Sequence, residues 1–380
     1  MPSGVYLHIP FCRSRCSYCD FATDVYRSND AVDRYVNALC AEIRGGAAHL
    51  GEHDGIRSDA AGRIIDTIYF GGGTPSLLEP EQVEKILTCI LSVFSVASGA
   101  EITMEMNPAT VTLETLRDYK NLGINRASFG VQTFDDRALR LLARGHDAND
   151  ARETFRMLRG SGFENVSFDL IAGLPNQTLQ DWERNLDEAI DLRPEHLSLY
   201  LLEIHEGTPL AEQVRSGRQP QPDEDLAAAM YETMLDRLGT AGYEQYEISN
   251  FSKAGFASRH NTKYWTMEPV FGFGVSAHSF DGAERYSNDR DTASYVASIE
   301  NGGSAEIERT AVDLGSETVF LGLRLTEGID LGSYRERFGT DLAGRCAELE
   351  DKGLVEISDG RLRLTRKGML FSNEVFAEFV

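Results

Sequence analysis

Cys12, Cys16 and Cys19 stand close together in the run His8, Ile9, Pro10, Phe11, Cys12, Arg13, Ser14, Arg15, Cys16, Ser17, Tyr18, Cys19, Asp20, Phe21. Three thiolates on one short loop can close around a single metal centre. A structural zinc usually takes four protein ligands. No fourth cysteine or histidine follows closely, the next cysteine being Cys40. Three ligands leave one iron of a four-iron cluster without a protein ligand, and an open iron is a place for a small molecule to bind. Arg13 and Arg15 flank the thiolates, where they would lower the cysteine pKa values or stand as solvated cations. Cys40, Cys89 and Cys346 are scattered and read as buried apolar thiols.

A second chemical feature is the run Gly71, Gly72, Gly73, Thr74, Pro75. Glycines let a backbone approach a ligand closely, and their amides can present donors to an anion. Alone the run is weak evidence. Its place one strand after the cysteine loop gives it weight.

Those residues need elements to hold them. Short β-rich runs at 5–9, 67–70, 101–106, 126–131, 166–171 and 197–202 alternate with helical patterns near 31–44, 80–94, 112–122, 135–159 and 178–191. The stretch 80–94 places Val83, Ile86, Leu87, Ile90, Leu91 and Phe94 at helical spacing, and Pro80 suits a first turn. Such alternation predicts parallel βα units, wrapped by right-handed crossovers into a barrel or part of one. Chemistry is then expected at the C-terminal ends of the strands. The cysteine loop, the triple glycine, Glu105, Gln132 and Asp169 all fall there.

Residues 45–63 are rich in Gly, Ala and charge and read as an exposed loop. A second break falls at 215–223, followed by a helix at 224–240, after which the alternation stops. The reading divides the chain into 1–215, 216–315 and 316–380. In the last part, helices at 316–326 and 340–352 and a hairpin turning at Asp359 and Gly360 look like a winged helix. That module would bind DNA or serve as a packing or partner surface.

The spacing C-x3-C-x2-C with Tyr18 before the last cysteine resembles the signature of the radical SAM superfamily. Further segments, VYLHIPFC, YFGGGTPS, MEMNP, SFGVQTF, LLARGH and FDLIAGLPNQT, resemble the branch related to coproporphyrinogen dehydrogenase over nearly the first 300 residues. The resemblance implies an α/β fold: a partial (β/α)6 TIM-like barrel of the radical SAM type, with a C-terminal α+β domain ending in the winged-helix-like module. It implies a [4Fe–4S] cluster on Cys12, Cys16 and Cys19. It places S-adenosylmethionine among Tyr6, Tyr18, Gly72, Gly73, Thr74, Glu105, Gln132, Arg144 and Asp169. These types suit a zwitterion and a ribose: carboxylates accept from ammonium and hydroxyl groups, and Arg144 can pair with a carboxylate.

Within that branch, three features favour the heme chaperones over the dehydrogenase. Phe21 stands where the dehydrogenase has a further cysteine. Cys12 comes so early that no long N-terminal extension is expected. Residues 259–265, RHNTKYW, match the HNxxYW motif of heme chaperones. In that resemblance His260 would ligate heme iron as a neutral imidazole, Asn261 would orient it, and Tyr264 and Trp265 would stack on a porphyrin face. His278 is a secondary candidate, closing the adenosine pocket. Glu203, where the dehydrogenase has a small residue, points to a differently shaped pocket and weakens the case for efficient cofactor cleavage.

The expected partners are heme and an acceptor hemoprotein, respiratory by resemblance; the chain itself is read as a monomer or dimer. The alternatives are a radical enzyme acting on a porphyrin and a nucleic-acid-binding regulator. A formal net charge of -23 and a pI near 4.8 oppose binding to nucleic acid or anionic membranes. No apolar run reaches the length of a spanning helix, and no leader peptide is expected before Cys12, so the sequence reads as cytoplasmic.

Overall fold

The computed structural model describes residues 2–49 and 64–379. The six expected strands form as β1 (Ser3–Ile9), β2 (Ile64–Gly72), β3 (Ser95–Met106), β4 (Arg126–Gln132), β5 (Asn165–Ala172) and β6 (His196–Leu201). They lie side by side in chain order, each pair parallel. Parallel neighbours require a crossover, and helices supply it: α1 (Asn29–His49), α2 (Pro80–Val93), α3 (Leu113–Asn121), α4 (Asp136–Leu141), α5 (Ala148–Gly160) and α6 (Leu179–Leu192). Among the strands, β4 is buried at every position. β1 and β6 do not pair, so the six strands make an open (β/α)6 arrangement.

The helix expected over 135–159 is two helices. Ala143 takes a left-handed φ of 54°, and Asp147 restarts the chain by capping the Asp150 amide. The break presents Arg144 to the site. α1 runs to His49, so 45–49 is helical rather than loop; the rest of that expected loop, 50–63, lies outside the described residues.

After α7 (Pro209–Arg215) and α8 (Glu224–Thr240), the chain keeps adding to the same sheet. β7 (Glu244–Glu247) and β8 (Asn250–Ser252) extend the β6 edge in antiparallel fashion. α9 (Arg259–Trp265) leads back across to β9 (Val270–Phe273), which pairs parallel with β1. β10 (His278–Phe280), β11 (Glu284–Asn288) and β12 (Glu306–Ala311) complete a sheet of twelve strands, with α10 (Thr292–Glu300) between the last two. These added strands are short and, in β12, exposed throughout, so they carry little hydrophobic period to read.

The terminal residues form a separate three-stranded antiparallel sheet from β13 (Ile329–Asp330), β14 (Val355–Ser358) and β15 (Arg361–Leu364), with α11 (Leu314–Gly322) before it. The hairpin turns at Asp359 (φ 52°) and Gly360 (φ 74°). Positive φ at both central residues matches the twist of paired strands and favours Asp-Gly. The helix expected at 340–352 is two short ones, Leu342–Arg345 and Ala347–Asp351. This module has its own core around Leu323, Leu342, Leu349 and Leu362, into which Ile248 reaches from the main body. Among the described residues no helix is long and apolar enough to cross a membrane.

Candidate functional site

A cavity of about 690 Å³ opens at the C-terminal ends of the strands. Cys12, Cys16 and Cys19 all line it, each partly buried. The loop that carries them is tied down by main-chain bonds. Tyr26 N–H donates to the Cys12 carbonyl (2.8 Å), and Ser17 N–H donates to the Leu142 carbonyl (2.9 Å). Ser17 also donates through its hydroxyl to Leu141. The break between α4 and α5 therefore holds the loop from the far side.

The triple glycine is required by space. A Cβ on Gly71 would come within 2.9 Å of the Tyr6 and Tyr69 rings, one on Gly72 within 2.8 Å of His8, and one on Gly73 within 2.7 Å of Pro10. Gly72 also takes a φ of 105°, open to glycine alone without strain. Two of the glycine amides find partners within the protein, one of them a carboxylate. Gly72 N–H donates to Glu105 (3.1 Å) and Gly73 N–H to the Ile9 carbonyl (2.8 Å).

Glu105, at the end of β3, also accepts from Tyr69 Oη (2.7 Å). Burial pushes its carboxyl up to about 7, and neighbouring Asp169 pushes the same way. Asp169 is raised as well, first by burial, against hydrogen bonds from Ser198 and Ser128 and the nearby charges of Arg126 and Arg144. Gln132 ends β4 in the left-handed region at φ 66°, a strained setting for a side chain and one found where function holds it.

Arg144 reaches the centre of the site. Its Nη1 lies 3.4 Å from Cys16 Sγ and 3.5 Å from Tyr18 Oη, and its Nη2 donates to Asn107 (2.6 Å) and the Gly130 carbonyl (2.8 Å). Its Nε is buried without a partner. Arg144, from a distant segment, is thus a cation at Cys16, Arg15 lines the cavity and favours the Cys19 thiolate, and Arg13 donates outward to the Ala109 carbonyl. Burial pushes the Cys12 thiol up to about 11, against a hydrogen bond from Thr74 (3.5 Å). A metal must displace that proton, so binding would release it.

Of the expected cofactor residues, Tyr6, Tyr18, Gly72, Gly73, Glu105, Gln132, Arg144 and Asp169 line the cavity. Thr74 does not: it is buried beneath Cys12, where it donates to the thiol and accepts from Asn107 (2.7 Å). Asn107, which joins Arg144 to Thr74, was not singled out by the sequence reading although it lies in the quoted MEMNP segment. His278 is exposed on β10 and lies outside the cavity lining.

The HNxxYW segment forms α9, capped by Ser258. His260 is only 1% exposed. One ring nitrogen meets Thr67 Oγ1 at 2.9 Å and the other meets Tyr264 Oη at 3.1 Å. The ring also stacks on Tyr69, with centroids 5.0 Å apart. Burial, with the charges of Lys263 and Arg126 adding to it, pushes the imidazole down to about 3. In this conformation His260 therefore offers no open nitrogen to an iron, and Thr67 and Tyr264 orient it rather than Asn261. Trp265 lies under the Arg324 guanidinium at 4.3 Å. Arg324 in turn lines the cavity.

Whether these residues suit a cluster can be judged from the donors. Among the described residues no three His, Cys, Asp or Glu side chains converge on one ion. A multi-iron cluster gives each thiolate its own iron, so its ligands can stand apart around one space. Three thiols around one cavity, with an arginine beside one of them, fit such a group.

Residues 6–189 match the Radical SAM superfamily and residues 310–371 the HemN C-terminal domain. The chain is 38% identical to the heme chaperone HemW of Bacillus subtilis, with 99% of each chain covered. It is 36% identical to HemW of Escherichia coli over 73% of this chain and 70% of that one. It is 32% identical to the bovine mitochondrial radical S-adenosyl methionine domain-containing protein 1, covering 97% of this chain and 85% of that one. The solved structure of the Escherichia coli radical SAM enzyme coproporphyrinogen III oxidase, HemN, superimposes with a TM-score of 0.85 at 25% identity, covering 100% and 90% of the two chains. With near-complete coverage at that identity, and with the barrel and the terminal module both matched, the chain belongs to the HemW family of the radical SAM superfamily.

Proposed function

We propose that this protein binds heme and hands it to an acceptor hemoprotein, with a [4Fe–4S] cluster on Cys12, Cys16 and Cys19 and S-adenosylmethionine in the adjoining cavity. The observation that carries the reading is the meeting of the three cysteines, Glu105, Arg144 and Asp169 in one cavity, in a chain that aligns end to end with a heme chaperone. When bound, the cluster supplies an iron with an open position and an electron-transfer centre. The protein's own groups do the rest. Arg144 offsets thiolate charge at Cys16 and can pair with a carboxylate. Glu105, at about 7, can accept from an ammonium or hydroxyl group, or donate when protonated. Tyr6, Tyr18, Gly72, Gly73, Gln132 and Asp169 shape the remaining walls, and Thr74 steadies Cys12 from below.

The segment holding His260, Asn261, Tyr264 and Trp265 enters this reading as the back wall of the site. Tyr264 holds His260, His260 stacks on the ring of Tyr69, and Tyr69 holds Glu105. We place residues 316–380 as a winged-helix-like packing module against the barrel mouth; the acidity of the chain opposes a nucleic-acid role.

Anaerobic hemin titration followed at the Soret band tests the reading. Saturable binding of one heme per chain is the expected result. No saturable binding, together with turnover of coproporphyrinogen coupled to cleavage of S-adenosylmethionine, would replace it with a radical enzyme. Cys12→Ala should lose the cluster iron and its visible absorbance; heme hand-over that continues undiminished in that variant would remove the cluster from the transfer step.

A further inference from the structure

Among the described residues that line the cavity the one histidine is His205, in the loop between β6 and α7. Its side chain is 46% exposed, and its two ring nitrogens lie 3.7 Å from Glu203 and 4.0 Å from Asp20. A histidine that ligates a metal commonly gives its other ring N–H to a carboxylate. Here each ring nitrogen stands near a carboxylate, so a ring turned to give one nitrogen to the cavity would keep a carboxylate beside the other.

The surroundings suit a flat apolar ligand with anionic ends. Phe21, Tyr200 and Leu201 line the cavity, yet are 63%, 43% and 36% exposed. Large apolar side chains gathered in the open mark a binding surface. Met369 and Leu370 of the terminal module line the same cavity, so apolar side chains from both bodies meet there. Arg324 supplies a cation at the edge. Glu247, itself fully buried, fixes it at 3.2 Å and Trp265 lies beneath it, while its Nε is buried without a partner.

Resting on the heme reading above, we propose that heme seats across the mouth of this cavity, between Phe21 with Tyr200 and Met369 with Leu370. His205 is the ligand to iron and Arg324 meets a propionate. The HNxxYW segment then serves the site through Trp265 and Arg324, and His260 stays within the wall.

The test is anaerobic hemin titration of the full-length, cluster-reconstituted chain and of its His205→Ala and His260→Ala variants, with electron paramagnetic resonance to read the axial ligand. The wild type should show a histidine-ligated heme. His205→Ala should lose that signature and at least about tenfold in affinity, the lower end of what removing even an outer partner of a metal ligand costs. Added imidazole should restore the signature. His260→Ala should keep it. A wild type that binds hemin while His205→Ala binds with unchanged affinity and spectrum overturns the seat but leaves the heme reading standing. A wild type that shows no saturable binding overturns both. His205 is half exposed, so its loss does not threaten folding.

Discussion

At the scale of single residues, buried polar groups around the cavity set the terms. His260 is held neutral by burial, its imidazole pushed down to about 3. Its folded pKa lies below the unfolded value near 6.5, so the stability tied to this group is present above about pH 6.5 and is lost as pH falls toward 3. His260→Ala leaves Thr67 and Tyr264 without their partner and should cost about 1–3 kcal/mol. It should also flatten acid sensitivity between about pH 6 and pH 4. Urea unfolding across that range checks both, and an unchanged midpoint at pH 7 would show the site relaxing around the loss. Gly71 makes a sharper residue-scale case. A methyl there meets two tyrosine rings at 2.9 Å, so Gly71→Ala should weaken S-adenosylmethionine binding by displacing Tyr6 and Tyr69, read by isothermal titration.

At the scale of elements, one carboxylate clamps the first helix to the far part of the sheet. Glu42 on α1 accepts from the Gly274 amide (2.8 Å), Asn288 Nδ2 (2.5 Å) and Tyr295 Oη (2.6 Å). These partners lie after β9, on β11 and on α10. Burial pushes the Glu42 carboxyl up to about 7, more than those hydrogen bonds pull it down. A folded pKa above the unfolded one favours folding while the group is protonated. That contribution is full below about pH 4.5 and is lost as pH rises through 7. Between about pH 5 and pH 8 the wild type should lose up to about 3 kcal/mol more stability than Glu42→Gln. Thermal melts of the two proteins at matched ionic strength read the difference, and parallel curves would mean that Glu42 stays ionised throughout. This clamp explains how strands far along the chain come to stand beside β1.

At the scale of the whole molecule, two bodies and a field meet at the cavity. The terminal module reaches it through Met369 and Leu370, and Tyr231 of α8 donates to the Met369 sulfur at 3.5 Å. Removing both side chains with Met369→Ala and Leu370→Ala should speed hemin dissociation by about tenfold, since changes at one interface fall mainly on the off-rate. Stopped-flow transfer to excess apomyoglobin measures it, and an unchanged rate would take the module out of the seat. The chain's charge of -23 repels the propionates of an incoming heme. Added salt screens this over a length of roughly 8 Å at physiological ionic strength. Hemin association should therefore quicken as salt rises, opposite to the behaviour of a nucleic-acid binder.

The sequence by itself determined the barrel and marked the cysteines of the first loop, because both are local. Strand and helix periods lie within single elements, and C-x3-C-x2-C lies within one loop. β1 to β5 contain their expected runs, β6 is shifted from its run by one residue, and the hairpin at Asp359 and Gly360 turns where its residues demand. The limits of local reading are equally physical. Arg144 had to be brought to Cys16 by a helix break invisible in an otherwise helical pattern. The short strands β7 to β12 draw their stability from pairing with a sheet already built, so their own residues announce little. His260 and His205 show the same limit. The motif marks His260, yet only packing puts Thr67 and Tyr264 against its two nitrogens and leaves His205, in a loop where the sequence marked only Glu203, lining the cavity. A side chain's chemistry is written in its type; what it is free to touch depends on which distant segments fold against it.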